Sequence, residues 1–402
     1  MKNKMYKRIA ISEIGSIVSG ATPKTSDAAN YGGDIPWLTP ADLSGYTNKY
    51  IERGARNISK KGYDSCSTQI MPAGSILFSS RAPIGYVAIA ANPICTNQGF
   101  KSIVPNKNVD SEFLFYQLKF LKNQIADLGR GTTFKEISGK TLGSVEIVLP
   151  DLKEQKRIVN KIEELFSELD SAVETLKKTK EQLAVYRQSV LKEAFENVEA
   201  SQVRLDDLCD FITKGTTPSK SEMNTETSSI PFIKVYNLTF DLSLDFSIDP
   251  TFVNENTHNT FLARSKVLPG DVLMNIVGPP MGKVSIVPET YPEWNMNQAI
   301  ARFRCEDNLN NRYLAYFLGC KQTVEKMMRQ SKATAGQFNL TLEICRNIQI
   351  PLPSIKEQKA IVSVLDKRLS VCKGIEKTVN DALAQAEAMR QSILKKAFEG
   401  GL

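Results

Sequence analysis

The sequence predicts a mixed α/β (α+β) chain: two tandem domains, each followed by a long helix, with the two helices packing on each other. Two observations carry this. PDLKEQKRI at residues 150–158 returns as PSIKEQKAI at residues 353–361, 203 positions later. SVLKEAFE at 189–196 returns as SILKKAFE at 392–399, again 203 positions later. A constant offset over that span means two copies of one continuous element. A third observation concerns what precedes each copy: about 150 residues of short strands, turns and one helix, the pattern of a mixed domain of ordinary size.

Residues 6–20 open the chain as a short amphipathic stretch ending in Gly. SGATPKTSDAANYGGDIPWLTPADL (19–43) is a Gly/Thr/Ser/Pro loop carrying a short buried strand, IPWL. Its counterpart is TKGTTPSKSEMNTETSSIPFIKVYNL (213–238), where IPFI stands 195 positions after IPWL. The change of offset places loops of different length on a shared scaffold. Residues 71–90 and 268–287 each read as turn, strand, polar or Gly-Pro loop, strand. TNQGFKSIVP (96–105) matches MNQAIARFRC (296–305). Residues 111–122 and 311–322 read as helices, the first with Ser111 as candidate N-cap. Residues 130–150 and 332–353 each run a Gly/Thr loop into a strand that delivers the chain to its long helix. The boundaries follow: a domain over 1–150, a helix over 151–200, a domain over 201–352 and a helix over 353–402, with a polar tether at 197–202.

In the first helix the apolar positions alternate by four and three: Ile158, Ile162, Leu165, Leu169, Ala172, Leu176, Thr179, Leu183, Tyr186 and Val190. Adding 203 gives Ile361, Leu365, Arg368, Cys372, Ile375, Val379, Ala382, Ala386, Met389 and Ile393. Leu183 against Ala386 shows that bulk is not matched, which suits two different helices packing together better than a self-matched dimer seam. About 44 helical residues at about 1.5 Å each reach about 65 Å, so these helices act as struts. Taken alone they are equally compatible with a generic dimerisation coil.

The 402 residues hold seven scattered Cys and a single His, His258. No CxxC occurs, so the Cys read as reduced cytoplasmic thiols, several simply buried. One His argues against His-based acid–base catalysis and His-ligated metal. No apolar run is long enough to cross a membrane, and the N-terminus lacks the apolar core of a signal peptide. The net charge is +7, and residues 1–150 alone carry 18 Lys and Arg against 11 Asp and Glu. The first domain is therefore basic, as a polyanion binder would be. The second (203–350), with 15 against 16, needs a local patch for that role.

GGDIPWLTPADL, NQGFKSIVP, VLPDLKEQKRIV with its copy PLPSIKEQKAIV, and the ending QSILKKAFEGGL together resemble the DNA specificity (S) subunit of type I restriction–modification systems. The resemblance covers essentially the whole length. IPFIKVYNL and the VGPP loop of the second half depart from the pattern somewhat. The resemblance implies two target-recognition domains held by an antiparallel helix pair that sets their spacing. Each domain reads one half of a split double-stranded DNA target. Two methyltransferase subunits dock on the S subunit, and restriction subunits join them. S-adenosylmethionine then belongs to the methyltransferase partner, ATP and Mg to the restriction partner, and no cofactor to this chain. A related system with a fused methylase–nuclease partner is equally compatible with the sequence.

Base reading needs side chains that pair with groove edges, Arg or Lys with guanine and Asn or Gln with adenine. Phosphate anchoring needs Lys, Arg, Ser, Thr and free N–H groups. The loops of the first half offer Thr22, Lys24, Thr25, Thr39, Asp42, Ser79, Ser80, Arg81, Gly131, Thr132, Thr133 and Lys135. Those of the second half offer Lys214, Thr216, Thr217, Lys220, Lys234, Tyr236, Asn237, Asn275, Lys332, Thr334 and Gln337. Arg81 is the strongest single candidate. Each competes with a purely local use, since Ser, Thr and Gly also build the turns themselves. Asn97–Gln98 and Asn297–Gln298 recur in both halves, so they read as scaffold rather than reader. Trp37 and Trp294 read as core. Glu154–Gln155 and Glu357–Gln358 read as helix-start residues that could also meet the methyltransferase.

A catalytic methyltransferase would need a Gly-rich cofactor loop and an Asn/Asp-Pro-Pro-aromatic motif. The nearest candidate, at residues 277–281, lacks both the Asn/Asp and the aromatic. No GxxxxGK[ST] phosphate loop occurs. The chain is expected to recognise and scaffold while its partners catalyse. A coiled-coil scaffold without a DNA role explains the helices but not the duplicated loops.

Overall fold

A computed structural model describes residues 6–81, 83–131, 135–225, 229–331, 333–334 and 337–399. By contacts the chain forms two units, one of residues 1–176 with 381–402, the other of residues 177–380. Each unit contains one mixed domain and one part of each long helix.

In the first unit, five strands form a sheet in the order Gly15–Ser19, Lys101–Pro105, Ile76–Phe78, Val87–Ala90, Tyr50–Ile51. Its pairs are antiparallel except the last, where Tyr50 lies beside Ile89 in parallel register. Trp37–Leu38 pairs in parallel with Cys95–Thr96, and Arg8–Ala10 pairs antiparallel with Glu146–Val148. Helix Ser111–Asp127 covers the sheet with Phe113, Leu114 and Leu118, all fully buried. Its N-cap is Asp110, whose carboxylate accepts from the Phe113 N–H at 3.0 Å. Ser111, expected as the cap, is the first helical residue and donates instead to the Gly74 carbonyl at 2.6 Å.

The second unit repeats the plan. Thr213–Lys214, Ile300–Phe303, Val272–Asn275 and Val284–Ile286 form a four-stranded antiparallel sheet. Ile230–Ile233 pairs in parallel with Trp294–Met296, and Gln202–Arg204 pairs antiparallel with Gln349–Pro351. Helix Asn311–Gly319 covers the sheet.

The long helices run Leu152–Glu196 and Ile355–Phe398. Each starts from a buried glutamine. Gln155 accepts from the Asp110 N–H at 2.8 Å and donates to the carbonyls of Asn108 and Pro150. Gln358 accepts from the Asn310 N–H at 2.8 Å and donates to those of Asn308 and Pro353. Every partner is backbone. Glu357 closes a capping box with Ser354, and Glu154 binds Tyr6 and Arg157.

The far end of each helix enters a domain core. Phe398 meets Phe113 edge-on at 5.4 Å, and Phe195, 203 positions earlier, meets Phe317 edge-on at 5.3 Å. In the first unit Asp170 pairs with Arg390, whose guanidinium lies 5.0 Å from the Phe166 ring. In the second, Lys180 meets Asn380 at 3.0 Å and Glu193 meets Arg368 at 2.8 Å. Numbers rise on one helix as they fall on the other, so the pair is antiparallel.

The seam runs through Ile162, Phe166, Leu169, Val173, Leu176, Leu183, Arg187, Val190 and Ala194. Their counterparts 203 positions on are Leu365, Leu369, Cys372, Glu376, Val379, Ala386, Arg390, Ile393 and Ala397. Of the ten expected positions on each helix, eight are buried or half-buried. Ala172, Tyr186, Ile375 and Met389 are exposed instead, and Leu369 rather than Arg368 is buried. Where the phase differs, at Val173, Arg187, Glu376 and Arg390, the intervening knob lies four residues after its neighbour, not three, and is sometimes polar. Apolar bulk at Tyr186, Ile375 and Met389 points the sequence reading one residue too early.

Candidate nucleic-acid interface

In the first unit the candidate loops converge on the turn at residues 96–99. The Ala21 N–H donates to the Thr96 carbonyl at 3.0 Å, and the Asn97 N–H to the Leu38 carbonyl at 2.8 Å. The Ser80 N–H donates to the Gly99 carbonyl at 2.8 Å, and the Ile137 N–H to the Ser80 carbonyl at 3.0 Å. One turn thereby gathers the loops of Thr22–Thr25, Thr39–Asp42 and Ser79–Arg81 and the segment at Glu136–Ile137. The Asn97 side chain holds the turn by accepting from the Gly99 N–H at 2.9 Å. Gln98 is exposed and accepts from the Thr22 hydroxyl. Gly20 makes this approach possible: a Cβ there would sit 2.1 Å from the Asn97 carbonyl oxygen.

The second unit builds the same hub. The Thr216 N–H donates to the Met296 carbonyl at 3.2 Å and the Asn297 N–H to the Ile233 carbonyl at 3.0 Å. The Ile276 N–H donates to the Ala299 carbonyl, and the Leu340 N–H to the Ile276 carbonyl, both at 2.8 Å. Thr217 donates to Gln298, and a Cβ on Gly215 would lie 2.2 Å from the Asn297 carbonyl oxygen. The shared Asn-Gln pairs therefore organise the loops. Their recurrence with the Gly-Thr loops is the signal in the sequence that marks Gln98 and Gln298 as latches.

On this scaffold the candidates divide. Lys24, Thr25, Gly131, Lys135, Lys214, Thr217, Lys220 and Tyr236 are exposed. Thr22, Thr216, Lys234 and Arg81 are half-buried. Arg81 bridges to Glu136 at the base of the 130–136 loop, with its guanidinium only loosely held at 3.9 Å. Lys101, not a candidate in the sequence, stands 3.9 Å from the same carboxylate, and Arg130 closes the loop through backbone bonds to Glu136. Four cations therefore share one edge of the hub: Arg81, Lys101, Arg130 and Lys135. In the second half Val277 takes the place of Arg81, bridging to Asn339. Ala333–Thr334 pairs antiparallel with Gln337–Phe338, with Thr334 in register with Gln337. Thr132, Thr133 and Lys332 lie outside the described residues.

Six candidates are engaged within the fold. The Ser79 hydroxyl is buried, donating to the Pro83 carbonyl and accepting from the Tyr86 N–H, both at 2.8 Å. Ser80 is buried beside it. Asn275 is buried, donates to the Pro280 carbonyl and accepts from the Lys283 N–H, so it holds the loop after its strand. Asp42 accepts from the Thr39 N–H and hydroxyl and from the Ala55 N–H, all at 2.7 Å. Asn237, 195 positions later, accepts from the Lys234 N–H and donates to the carbonyls of Asp245 and Ile248. Apart from Ser80, whose buried hydroxyl has no partner, these side chains spend their hydrogen bonds inside the fold. Trp37 and Trp294 are core, as expected.

Around the second hub, Tyr236 donates to Asp249 at 2.6 Å and Lys234 lies 3.4 Å from the same carboxylate. Tyr236 and Lys234 hold the Asp249 carboxyl below its usual range. Burial alone would lower the Lys234 value, but Tyr236 and Asp249 outweigh it and raise it.

A model of the type I restriction modification DNA specificity domain matches residues 3–184 and again residues 197–385. The chain belongs to this family. The MjaIX specificity subunit of Methanocaldococcus jannaschii is 38% identical over 267 residues, covering 61% of this chain and 60% of that subunit. The EcoBI specificity subunit of Escherichia coli is 26% identical over 424 residues, covering 99% and 86%. The solved HsdS subunit from Thermoanaerobacter tengcongensis shares the fold with a TM-score of 0.52 at 23% identity, covering 99% and 97%. A chain of a solved type I restriction–modification assembly shares it with a TM-score of 0.73 at 22% identity, covering 99% of each. Membership of the family favours the specificity-subunit reading over a coiled coil without a DNA role. Among the described residues, no helix is long and apolar enough to cross a membrane, and no three His, Cys, Asp or Glu side chains are grouped to hold a metal.

Proposed function

We propose that this chain is the specificity subunit of a cytoplasmic type I restriction–modification complex. Each domain reads one half of a split duplex target through the loops of its hub. The helix pair sets the spacing between the halves and seats two methyltransferase subunits, which restriction subunits join. The chain itself catalyses nothing: S-adenosylmethionine is held by the methyltransferase partner, ATP and Mg by the restriction partner. The observation that carries this reading is the duplicated hub. The latch and the turn are the same in both units, while the side chains around them differ, as the half-buried Arg81 and Val277 do. Shared scaffolds with different readers suit two different half-sites. The test is methylome sequencing of a host expressing this chain with its neighbouring methyltransferase gene. A split motif methylated in both halves, and lost when this chain is deleted, is expected. Methylation that persists without the chain overturns the reading.

A further inference from the structure

Each recognition domain is anchored to a long helix by a charged junction away from its hub. In the first unit Lys49 precedes the edge strand Tyr50–Ile51, and its carbonyl accepts from the Ile89 N–H at 2.9 Å, which ties it to the sheet. Its ammonium reaches Glu112 at 2.8 Å and also Glu163 of the first long helix. Tyr50 donates to Glu112 at 2.6 Å, and Tyr116 to Glu163 at 3.4 Å. Burial would lower the Lys49 value, but the two carboxylates outweigh it and hold the lysine charged far into the alkaline range. The carboxyl of Glu112, which burial would raise, is lowered by Lys49 and Tyr50.

In the second unit the Ile286 N–H donates to the Leu242 carbonyl at 2.9 Å, as the Ile89 N–H does to that of Lys49, so Leu242 takes the place of Lys49 and the charged residue lies in the loop just before it. That loop presents an anion: Asp241 binds Lys373 of the second long helix at 2.6 Å. Arg187 of the first long helix donates to the neighbouring Phe240 carbonyl. Asp366, 203 positions after Glu163, is bound by Arg312 and by the Tyr316 hydroxyl. At the shared helix position a domain cation meets a helix carboxylate in both halves, Lys49 with Glu163 and Arg312 with Asp366, and the second half adds Asp241 on Lys373 further along the helix.

We propose, building on the specificity reading, that Lys49 and Asp241 are positioning residues that hold each recognition sheet at a fixed attitude on its helix and so make the protein selective for the spacer length of its target. Neither residue belongs to a hub. Removing Lys49 leaves Glu112 and Glu163 facing each other without a cation, and this repulsion pushes the domain off its helix. Removing the charge of Asp241 strands Lys373 and leaves Arg187, on the Phe240 carbonyl, to hold the loop. Either loss widens the range of attitudes its domain can adopt. The base contacts within each half-site are untouched.

The test uses the full chain assembled with its methyltransferase partner and the target taken from the methylome. Affinity is measured on duplexes with the native spacer, on duplexes one base pair shorter or longer, and on duplexes with one mismatch in either half-site. Lys49→Met and Asp241→Asn are each expected to cut the preference for the native spacer by about tenfold, equivalent to about 1.4 kcal/mol, and to leave the mismatch penalty unchanged. Lys49→Arg is expected to keep both. A native-spacer preference that survives in both variants overturns the proposal. Spacer and mismatch discrimination lost together also overturns it, because the residues would then support the hub itself. Should Lys49→Met fail to fold, Asp241→Asn and the milder Tyr50→Phe decide by the same criteria. A wild-type complex with no sequence preference at all refutes the specificity reading rather than the junction.

Discussion

Ser79 and Arg81 stand two positions apart in one loop, but only the arginine keeps donors free to meet a ligand. The Ser79 hydroxyl is consumed by its own turn, whereas the Arg81 guanidinium has one carboxylate at 3.9 Å. An exposed ion pair this loose contributes little, so Arg81 gives up almost nothing when it turns to a guanine or a phosphate. Arg81→Ala is expected to weaken target binding by roughly 1–3 kcal/mol if it pairs with a guanine and to leave the unfolding midpoint unchanged. Asn275→Ala is expected to do the reverse. It strands the Lys283 N–H and the Pro280 carbonyl, at a cost of about 1–3 kcal/mol of stability, read by urea denaturation alongside the binding assay. Asp241 adds a pH signature. Burial would raise its carboxyl, but Lys373, Ser243 and Thr239 hold it far below its ordinary value of 3.8. A carboxyl depressed on folding stabilises the protein above its unfolded value, and that stability is lost as pH falls through the folded value. The difference in Tm between wild type and Asp241→Asn should therefore be full at neutral pH and shrink below pH 3.8. A difference that stays constant into acid would show that the carboxylate charge is not what holds the loop.

At the scale of elements, what was legible in the sequence is what repeats. The two long helices, their start at a Glu-Gln pair and their ends at a phenylalanine can all be read from one offset. The loops could be located, but their side chains could not be sorted into readers and scaffold. Ser, Thr, Asn and Asp serve both uses with the same atoms, and burial decides between them. Asp42 and Asn237 illustrate this: different residues, one capping role, visible only once the turn is built. The seam was legible to within one residue at every second knob, because exposed Tyr186, Ile375 and Met389 imitate a heptad. The latch element makes its own prediction. A Cβ at Gly20 would sit 2.1 Å from the Asn97 carbonyl oxygen, which is backbone and has no room to retreat. Gly20→Ala is expected to lift the Thr22–Thr25 loop off Gln98. It should weaken recognition of one half-site by at least tenfold, on the order of one lost bidentate base contact, and leave the other half-site's mismatch penalties intact. Loss of both would mean that the hubs are not independent.

For the molecule as a whole, the decisive property is that each unit owns its core while the seats of the long helices are written in backbone. Gln155 binds two carbonyls and one N–H, and Gln358 does the same in the second half. A foreign recognition domain of the same fold supplies those groups whatever its side chains. Replacing residues 1–150 with those of a relative should therefore give a folded chain whose methylated motif changes in one half only, as methylome sequencing would read it. The condition is that the incoming domain brings a cation for Glu163 and an apolar seat for Phe398, since both come from the retained helices. A swap lacking the cation should still change the half-site while tolerating altered spacers. A swap lacking the seat should cost about 3–5 kcal/mol of stability, as losing a buried phenylalanine does. A motif altered in both halves would mean that the two domains do not read independently.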